Sequence, residues 1–441
     1  MHRFTTAPAS DGGRTRIPAL RTKDEDGKEI EVQKNEEKSR LLHKAFFYEA
    51  PENHGVDPNY EYPAPAFKYE EIKNEEIRDS IKNLSLYKAP GLNKISNSVL
   101  THCANQLIPY LGPIYRASVK LKYYPERWKR FTTVVLRKGG KPDYTVPGAY
   151  RPIALLDTIW KVMASVMKGK IQYYTEKLQL LPNMQFGGRS GCTTTDSLHT
   201  LTSFVKDSWR KGDEVMALFL DVKGAFPNTV PQVLIHDMRR YGVPKEITDW
   251  IADKMTGRET VIKFDDFKSE PIAVNSGLDQ GCNLSMFVYR FYNTSQIEAA
   301  IGRKDELATN FADDAILATA APTIKEAAAK MKNLFQRQNG PADWSKTHFS
   351  TYEYHKFAAM ALTRKRIPNP EGGNKRIKQP PMTLHIDEQN TVTTVRTHKF
   401  LGVILDEELR FKEHAAYALG KGTKWMGQVK RLSKMARGMD G

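Results

Sequence analysis

The sequence predicts an α+β fold, in which helices and strands follow one another in irregular order. Strand-like and helix-like stretches occur along the chain, but they lack the regular strand–helix alternation that builds a parallel sheet. One stretch is typical of a hairpin, with a strand, a turn and a second strand in succession. The length of 441 residues allows two or three domains, or one domain with lobes, and no repeat of fixed period is visible.

The elements can be placed in order along the chain. Residues 1–65 are polar and charged and predict a connector, with one helix around Glu36–Tyr48. Helical spacing of apolar residues begins after Phe67 and recurs from Asp157. An Ala-rich helix is expected over Thr323–Gln338. Short apolar or β-branched runs predict the strands, which are Thr132–Leu136, Glu214–Leu220, Glu259–Phe264 and the strand–turn–strand stretch Thr309–Ala318.

The charge balance is basic, with 67 Lys and Arg against 51 Asp and Glu and a net charge of +16 at pH 7. Residues 361–441 hold half of this excess, with 16 basic and 8 acidic residues. An excess of this size favours an anionic partner, and nucleic acid is the first candidate. A membrane surface is the competing interpretation, which the lack of any apolar run of about 18 residues weakens.

The cysteines and the first residues bear on the compartment. Cys103, Cys192 and Cys282 are too far apart for a CxxC zinc site, and they offer no disulfide framework. The N-terminus lacks the apolar core of a secretory signal. We therefore expect an intracellular protein with reduced thiols and no membrane partner.

Acidic residues stand beside two apolar strands. One site is Leu218-Phe-Leu-Asp221, and the other is Phe311-Ala-Asp-Asp314. Carboxylates placed close together at buried strands repel one another unless cations compensate them. Two divalent ions would resolve this repulsion and could support an in-line phosphoryl displacement, and oxygen ligands suit Mg²⁺. The alternative for each site is structural: Asp221 caps a turn, and Asp313-Asp314 is an exposed hairpin tip.

Several short motifs occur in one order between Lys88 and Asp406. With them, the sequence resembles the reverse transcriptases of LINE-type (non-long-terminal-repeat) retrotransposons. The motifs are Lys88-Ala-Pro-Gly91, Tyr150-Arg-Pro-Ile-Ala-Leu-Leu156, Gln185-Phe-Gly-Gly-Arg189 with Thr193-Thr-Thr-Asp196, Leu218-Phe-Leu-Asp-Val-Lys-Gly-Ala-Phe226, Gly277-Leu-Asp-Gln-Gly281 with Leu284-Ser285, Phe311-Ala-Asp-Asp314, Lys356-Phe357 and Phe400-Leu-Gly-Val-Ile-Leu-Asp406.

This resemblance implies a right-hand polymerase with an antiparallel palm sheet. Fingers and fingers/palm helices would span residues 66–212, the palm 213–406, and the basic start of the thumb 407–441. The implied activity is RNA-directed DNA polymerisation, which adds deoxynucleotides to a primer 3′-hydroxyl with two Mg²⁺ ions, or with Mn²⁺. The implied partners are an RNA template, a DNA primer and deoxynucleoside triphosphates, and the implied compartment is the nucleus. The oligomeric state is left open.

The resemblance also assigns residues to the polymerase chemistry. Asp221, Asp313 and Asp314 match the metal-binding aspartates of the palm. Phe226 matches the ring that excludes ribonucleotides, because a 2′-hydroxyl would collide with it. Gln280 and Gly281 match the segment beside the incoming nucleotide and the template base.

Cations match the positions that contact triphosphate and nucleic acid. Arg151, with Lys138 or Lys141, matches the fingers cations that hold the triphosphate. Lys356 matches the late palm lysine that protonates the departing pyrophosphate. The remaining assignments are the primer-holding hairpin Phe400, Leu401 and Gly402, and the thumb cations Lys421 and Lys424.

Two alternatives to an active reverse transcriptase stay open. Pro227 follows the first aspartate motif where the family has Asp or Glu, and Asn283 stands where Pro is expected. These departures favour a catalytically impaired, nucleic-acid-binding remnant. An RNA polymerase or maturase relative is the other alternative, which Phe226 disfavours because ribonucleotides need a small residue there.

Overall fold

The computed structural model describes residues 16–24, 26–370, 372 and 375–435. Predictions for residues 1–15 and 436–441, the ends of the expected connector and thumb, lie outside this description. The chain divides into two compact units, residues 1–180 with 226–289 and residues 181–225 with 290–441. Both units mix helices with strands, which confirms the α+β class.

The first unit contains seven strands and seven complete α-helices among its described residues. They are labelled in chain order together with those of the second unit. Its strands are β1 (Leu20–Lys23), β2 (Glu29–Val32), β3 (Arg130–Arg137), β4 (Tyr150–Leu155), β6 (Arg258–Phe264), β7 (Phe267–Lys268) and β8 (Ile272–Val274). Its helices are α1 (Asn35–Phe46), α2 (Asn74–Lys82), α3 (Asn97–His102), α4 (Ala104–Lys120), α5 (Thr158–Lys177), α7 (Pro231–Arg240) and α8 (Lys245–Met255).

The main sheet of the first unit has the order β4-β3-β6-β7, with β8 also paired to β6. Strands β3 and β6 run parallel, whereas β3 and β4 form an antiparallel pair. Residues of the expected connector pack on this sheet, since Leu20, Leu42 and Phe46 share a buried cluster with Tyr150 and Ile262. The helix expected around Glu36–Tyr48 is confirmed as α1.

The second unit has its own strands and helices. Its strands are β5 (Glu214–Leu220), β9 (Glu306–Phe311), β10 (Asp314–Ala321), β11 (Ala358–Leu362), β12 (Arg366–Ile367), β13 (Ile377–Lys378), β14 (Thr383–His385), β15 (Thr391–Thr393), β16 (Thr397–Phe400) and β17 (Val403–Asp406). Its helices are α6 (Thr194–Arg210), α10 (Ile324–Gln336), α11 (Pro341–Thr347) and α12 (Lys412–Met435), and α9 (Asn283–Glu298) begins before residue 290 and ends within this unit.

A four-stranded sheet forms the centre of the second unit. Its order is β11-β5-β10-β9, and each neighbouring pair is antiparallel. All seven residues of β5 are buried, as expected for a central strand that is covered on both faces. Val215, Ala217 and Phe219 share one apolar cluster with Leu201 and Val205 of α6. The strands predicted from Glu214–Leu220 and Thr309–Ala318 are confirmed.

Two general expectations can be compared with the structure. Cys103, Cys192 and Cys282 are all free thiols. Among the residues that the structure describes, no helix is long and apolar enough to cross a membrane.

Candidate active site

The register of the central sheet of the second unit brings Asp221 between two charged residues. Ala315 pairs with Leu220 on one side of β5, and Ala358 pairs with Phe219 on the other. Asp221 follows the last residue of β5, so extending the ladder between β5 and β10 by one pair places Asp314 opposite it. On the other side the regular ladder ends at Phe219 and Ala358, and a 3-10 turn over Tyr354–Lys356 brings the Lys356 side chain to Asp221. This arrangement joins three of the residues that the sequence singled out.

A two-residue turn presents the second acidic site. Phe311 pairs with Asp314, so the turn between β9 and β10 consists of Ala312 and Asp313. Ala312 has φ of +58°, the left-handed region that glycine usually occupies in such turns. Asp313 and Asp314 both remain exposed to solvent. The segment is therefore an exposed hairpin tip, as the structural alternative expected, and its metal-binding role stays a prediction.

The carboxylates interact electrostatically. Burial of one side of Asp314 and the negative charges of Asp313 and Asp221 raise the pKa of Asp314 to about 6. Its side chain keeps solvent contact, but the protein packed beside it disfavours ionisation. Asp313 and Asp221 therefore both lie close enough to Asp314 for their charges to oppose its ionisation, the condition expected of a cation-binding set.

Lys356 lies beside the first carboxylate. Its Nζ is 3.5 Å from Asp221 Oδ1, and it also pairs with the carboxylate of Glu353. The Glu353 amide donates to the Asp221 carbonyl over 2.9 Å, and Val222 bridges Tyr352, so this segment runs alongside the residues after β5. The sequence did not indicate Glu353, since a single acidic residue three positions before a lysine is common on any surface.

These side chains have the donor chemistry of a metal site. No group of three or more His, Cys, Asp or Glu in the described part of the chain is already arranged to hold a metal ion. The three aspartates are nevertheless hard oxygen donors whose charges repel one another. Lys356 supplies one positive charge, which cannot balance three carboxylates and Glu353. The donor chemistry fits divalent cations that draw the carboxylates together.

In the first unit, the backbone of Phe226 lies against the loop around Leu278. Its ring is partly buried and lies 5.0 Å from the Tyr289 ring. Its carbonyl accepts a hydrogen bond from the Leu278 amide over 2.8 Å. The position of the Phe226 backbone therefore depends on the loop that ends at Gln280 and Gly281.

The Gln280-Gly281 segment packs on strand β4, which also bears Arg151. The Ala154 amide donates to the Gln280 carbonyl over 2.7 Å. A β-carbon at Gly281, which has φ of +121°, would stand 2.9 Å from the Ala154 carbonyl oxygen, so close packing requires glycine here. Arg151 is exposed on the same strand. The structure thus brings Gln280 and Gly281 to the strand of Arg151.

The two lysines that the sequence left as alternatives differ in their surroundings. Lys138 is half-buried, and its Nζ donates to the Gly148 carbonyl over 2.9 Å. Lys141 is exposed in the loop that follows β3. Both lie in the β3–β4 connection, next to the strand of Arg151.

A buried ion group below the Gln280 loop was missed by sequence reasoning. Asp279 Oδ2 is 2.5 Å from Lys254 Nζ, and Asp279 Oδ1 is 2.8 Å from Arg258 Nη1, with all three side chains buried. Arg258 also donates to the carbonyls of Ser276 and Gly277. Burial, the largest influence, would raise the pKa of Asp279, but the two cations together lower it to about 2. The sequence separation of these residues gave no indication that they meet.

The residues expected to contact the primer form a hairpin beside α12. Strands β16 and β17 are joined by Leu401 and Gly402, with φ of +46° and +87°. Phe400 is buried, with its ring 5.1 Å from Phe219 of β5. Lys399 Nζ lies 2.9 Å from the Tyr417 hydroxyl on α12. Lys421 and Lys424 are exposed on that helix.

Comparison with protein families decides the affiliation. Residues 136–405, more than half of the chain, match the family described as "Reverse transcriptase (RNA-dependent DNA polymerase)". The chain belongs to the reverse transcriptase family. The matched residues include Arg151, Asp221, Phe226 and the Asp313-Asp314 pair.

Three curated relatives of this reverse transcriptase come from non-LTR elements of Drosophila melanogaster. The probable RNA-directed DNA polymerase from transposon BS is 27% identical over 82% of this chain and 38% of the relative. The corresponding protein from transposon X-element is 28% identical over 77% of this chain and 36% of the relative. The RNA-directed DNA polymerase from mobile element jockey is 22% identical over 77% of this chain and 36% of the relative. The resemblance to LINE-type reverse transcriptases is confirmed.

The chain spans less than two fifths of the length of these relatives. Among solved structures, an apo telomerase from Candida Tropicalis truncated from its C-terminal domain aligns with a TM-score of 0.41 and 12% identity, over 71% of this chain and 59% of that chain. A likeness of this level defines neither the fold nor the function of the chain.

Proposed function

We propose that the chain is the polymerase part of a non-LTR retrotransposon protein and adds deoxynucleotides to a primer 3′-hydroxyl on an RNA template. The observation that supports this most directly is the grouping of Asp221, Asp314 and Lys356 at one end of three neighbouring strands, with Asp313 in the adjoining turn. Polymerases that use two metal ions need carboxylates held on a rigid support, and a buried antiparallel sheet provides one.

In this proposal, Asp221, Asp313 and Asp314 hold two Mg²⁺ ions, and Mn²⁺ accepts the same oxygen ligands. The ions would lower the pKa of the primer hydroxyl and stabilise charge on the leaving pyrophosphate. The raised pKa of Asp314 supports this role, because mutual repulsion of carboxylates is relieved when divalent cations bind between them.

The other residues that the sequence singled out would divide the remaining tasks. Lys356, 3.5 Å from Asp221, would hold the proton that passes to pyrophosphate as it departs. Arg151 and one of Lys138 and Lys141 would hold the triphosphate through charge-assisted hydrogen bonds. Phe226 would exclude the ribose 2′-hydroxyl, and Gln280 with Gly281 would line the place of the base pair.

The same proposal assigns the regions. Residues 66–212 would form the fingers with the helices that join them to the palm, 213–406 the palm, and 407–441 the basic start of the thumb. The β16–β17 hairpin would hold the primer terminus, and Lys421 and Lys424 would contact the duplex backbone. An RNA template, a DNA primer and deoxynucleoside triphosphates are then the partners, and an intracellular, nuclear location follows from the kind of element.

The test is primer extension on an RNA template with Mg²⁺, comparing the parent with Asp313→Asn. We expect the variant to lose extension by at least about a thousandfold, because one metal ligand loses its charge, while template binding stays within about twofold. Asp207→Asn is the matched control, since Asp207 is an exposed carboxylate paired with Arg210 on helix α6, and full activity is expected.

The outcomes separate the candidates. Extension by the parent and by Asp207→Asn, but not by Asp313→Asn, supports the proposed polymerase activity. Extension that survives Asp313→Asn overturns the metal role of the triad. If no protein extends the primer while all bind template in a salt-sensitive way, the chain is the nucleic-acid-binding remnant that Pro227 and Asn283 suggest.

A further inference from the structure

The turn that bears the acidic pair has an unfavourable backbone. Ala312 is the first of two turn residues and has φ of +58°. An L-residue with a β-carbon resists this region, so neighbouring contacts must hold the turn in place. The turn precedes Asp314 directly and contains Asp313. Any shift of the turn would move both carboxylates relative to Asp221.

A chain of buried amides reaches the turn from helix α9. Asn293 Nδ2 donates to the Ala312 carbonyl over 2.5 Å. Gln185 Nε2 donates in turn to Asn293 Oδ1, also over 2.5 Å, and to the Thr294 hydroxyl over 3.2 Å. Gln185, Asn293 and Thr294 are each at most 1% exposed. Hydrogen bonds that are shielded from water hold their partners firmly, because losing one leaves a buried group unsatisfied.

The segment of Gln185 also lies directly against the turn. The Phe186 amide donates to the Asn310 carbonyl over 2.8 Å, and the Asn310 amide donates to the Met184 carbonyl over 3.1 Å. A β-carbon at Gly187 would overlap the Ala312 backbone nitrogen. Gly187 has no positive φ, so the requirement for glycine here is a matter of space and not of backbone conformation.

We infer that Gln185, Gly187 and Asn293 are positioning residues for the Asp313–Asp314 turn. Asn293 holds the turn by its carbonyl, Gln185 fixes the orientation of the Asn293 amide, and Gly187 lets the chain approach without displacing Ala312. The inference rests on the proposed function, because it assigns these residues to the geometry of the metal-binding carboxylates. None of them would contact metal, nucleotide or nucleic acid themselves.

The test measures Mn²⁺ affinity by electron paramagnetic resonance on the full chain without nucleic acid, together with template–primer binding. Asn293→Ala removes the donor to the turn, and Gly187→Ala adds one carbon against it. We expect each to weaken Mn²⁺ binding at least tenfold and to leave template–primer affinity within about twofold. Asn183→Ala, an exposed change in the same segment, is the matched control and should bind Mn²⁺ like the parent.

A rescue variant separates positioning from general loss of structure. Glycine adopts the conformation of Ala312 without steric cost, so adding Ala312→Gly to Asn293→Ala should recover part of the Mn²⁺ affinity. A general packing defect would not respond to a change in the turn. If Asn293→Ala lowers the stability of the chain, this double variant and Gly187→Ala still decide the question.

The outcomes for the two proposals differ. Mn²⁺ binding by the parent that persists in Asp313→Asn would overturn the metal role of the triad and, with it, the proposed function. Binding that is lost in Asp313→Asn but unchanged in both Asn293→Ala and Gly187→Ala would overturn the positioning role alone. Loss of Mn²⁺ binding in both Asn293→Ala and Gly187→Ala, with partial recovery when Ala312→Gly is added to Asn293→Ala, supports the inference.

Discussion

At the scale of single residues, the charge of Asp221 is compensated on one side and opposed on the other. Asp221 has a cation on one side, Lys356, and a carboxylate on the other, Asp314. Apolar strands beside Asp pointed to the two acidic sites in the sequence, whereas Lys356 was assigned to them only through the family resemblance. The sequence could not show Glu353 beside Lys356, or the amides beneath Ala312, since those contacts join residues that have no pattern in common.

Phe226 permits a test of sugar selection. We predict that Phe226→Ala lowers the preference for deoxynucleotides over ribonucleotides by at least about tenfold in kcat/KM, because the ring no longer collides with a 2′-hydroxyl. Single-nucleotide incorporation with both triphosphates measures the ratio. Phe226→Tyr, which keeps the ring, should retain the preference, and an unchanged ratio in the alanine variant would remove Phe226 from this role.

At the scale of elements, the loop from Ser276 to Cys282 is held by a buried charge group. One carboxylate, Asp279, meets two cations, and Arg258 also bonds the carbonyls of Ser276 and Gly277. Removing one member leaves the others charged and without compensation in a buried place, which costs about 3–5 kcal/mol. The loop beside Phe226 and Gln280 therefore has an electrostatic support of its own.

We predict that Asp279→Asn lowers the free energy of unfolding by about 3–5 kcal/mol at pH 7, as measured by urea denaturation. The pKa of Asp279 is about 2 in the folded chain, below its ordinary value of 3.8, so its contribution is complete above 3.8. As the pH falls from 3.8 towards about 2, the parent loses this contribution and the difference between parent and variant should narrow.

The exposed Asp207→Asn variant serves as the comparison for that measurement, with an expected change within about 0.5 kcal/mol. A difference for Asp279→Asn that stays constant down to the lowest pH at which the chain folds would contradict the depressed pKa. A difference below about 1 kcal/mol at pH 7 would show that the loop does not depend on the ion group.

The elements differ in how well the sequence predicted them. Strand β5 was evident because seven buried residues in succession leave an apolar run. The hairpin of β9 and β10 was predicted with narrower bounds, because β9 begins at Glu306 and not Thr309, and β10 ends at Ala321 and not Ala318. Strands β1 and β2 were not evident, because each has only four residues of which at least half are polar, and the place of β1 becomes clear only from Leu20 packing with Leu42. Short polar strands owe their structure to tertiary contacts, which no local pattern records.

At the scale of the whole molecule, the net charge of +16 and its concentration towards the C-terminus agree with a nucleic-acid partner. Composition gave this expectation without any structure. It could not give the division into two units, each built from two separate stretches of chain. Nor could it give the parallel pairing of β3 with β6, whose residues lie more than one hundred positions apart.

The basic helix α12 is expected to contribute to the binding of template and primer. We predict that replacing Lys421 and Lys424 together by serine reduces the dependence of template–primer affinity on salt. The slope of log K against log salt should fall by about 0.7–0.9 for each phosphate that the protein no longer neutralises. Fluorescence anisotropy at several salt concentrations measures the slope.

A variant with the same loss of charge elsewhere provides the control. Lys206 and Lys325 are exposed on helices α6 and α10, so their joint replacement by serine removes two charges and should leave the slope nearly unchanged. Equal changes in both double variants would assign the effect to net charge alone and place the duplex-binding surface outside helix α12.

The antiparallel ladders around β5 also limit how this chain can change in length. Side chains alternate between the two faces of a strand, so one inserted residue turns every side chain beyond it to the opposite face. A single insertion within β5 or β10 would turn Asp221 or Asp314 away from the other carboxylate, whereas two inserted residues would restore the face but displace it along the strand. We expect length changes to be tolerated at the exposed residues Glu388 and Gln389, between β14 and β15, and odd-numbered changes to be avoided in β5 and β10.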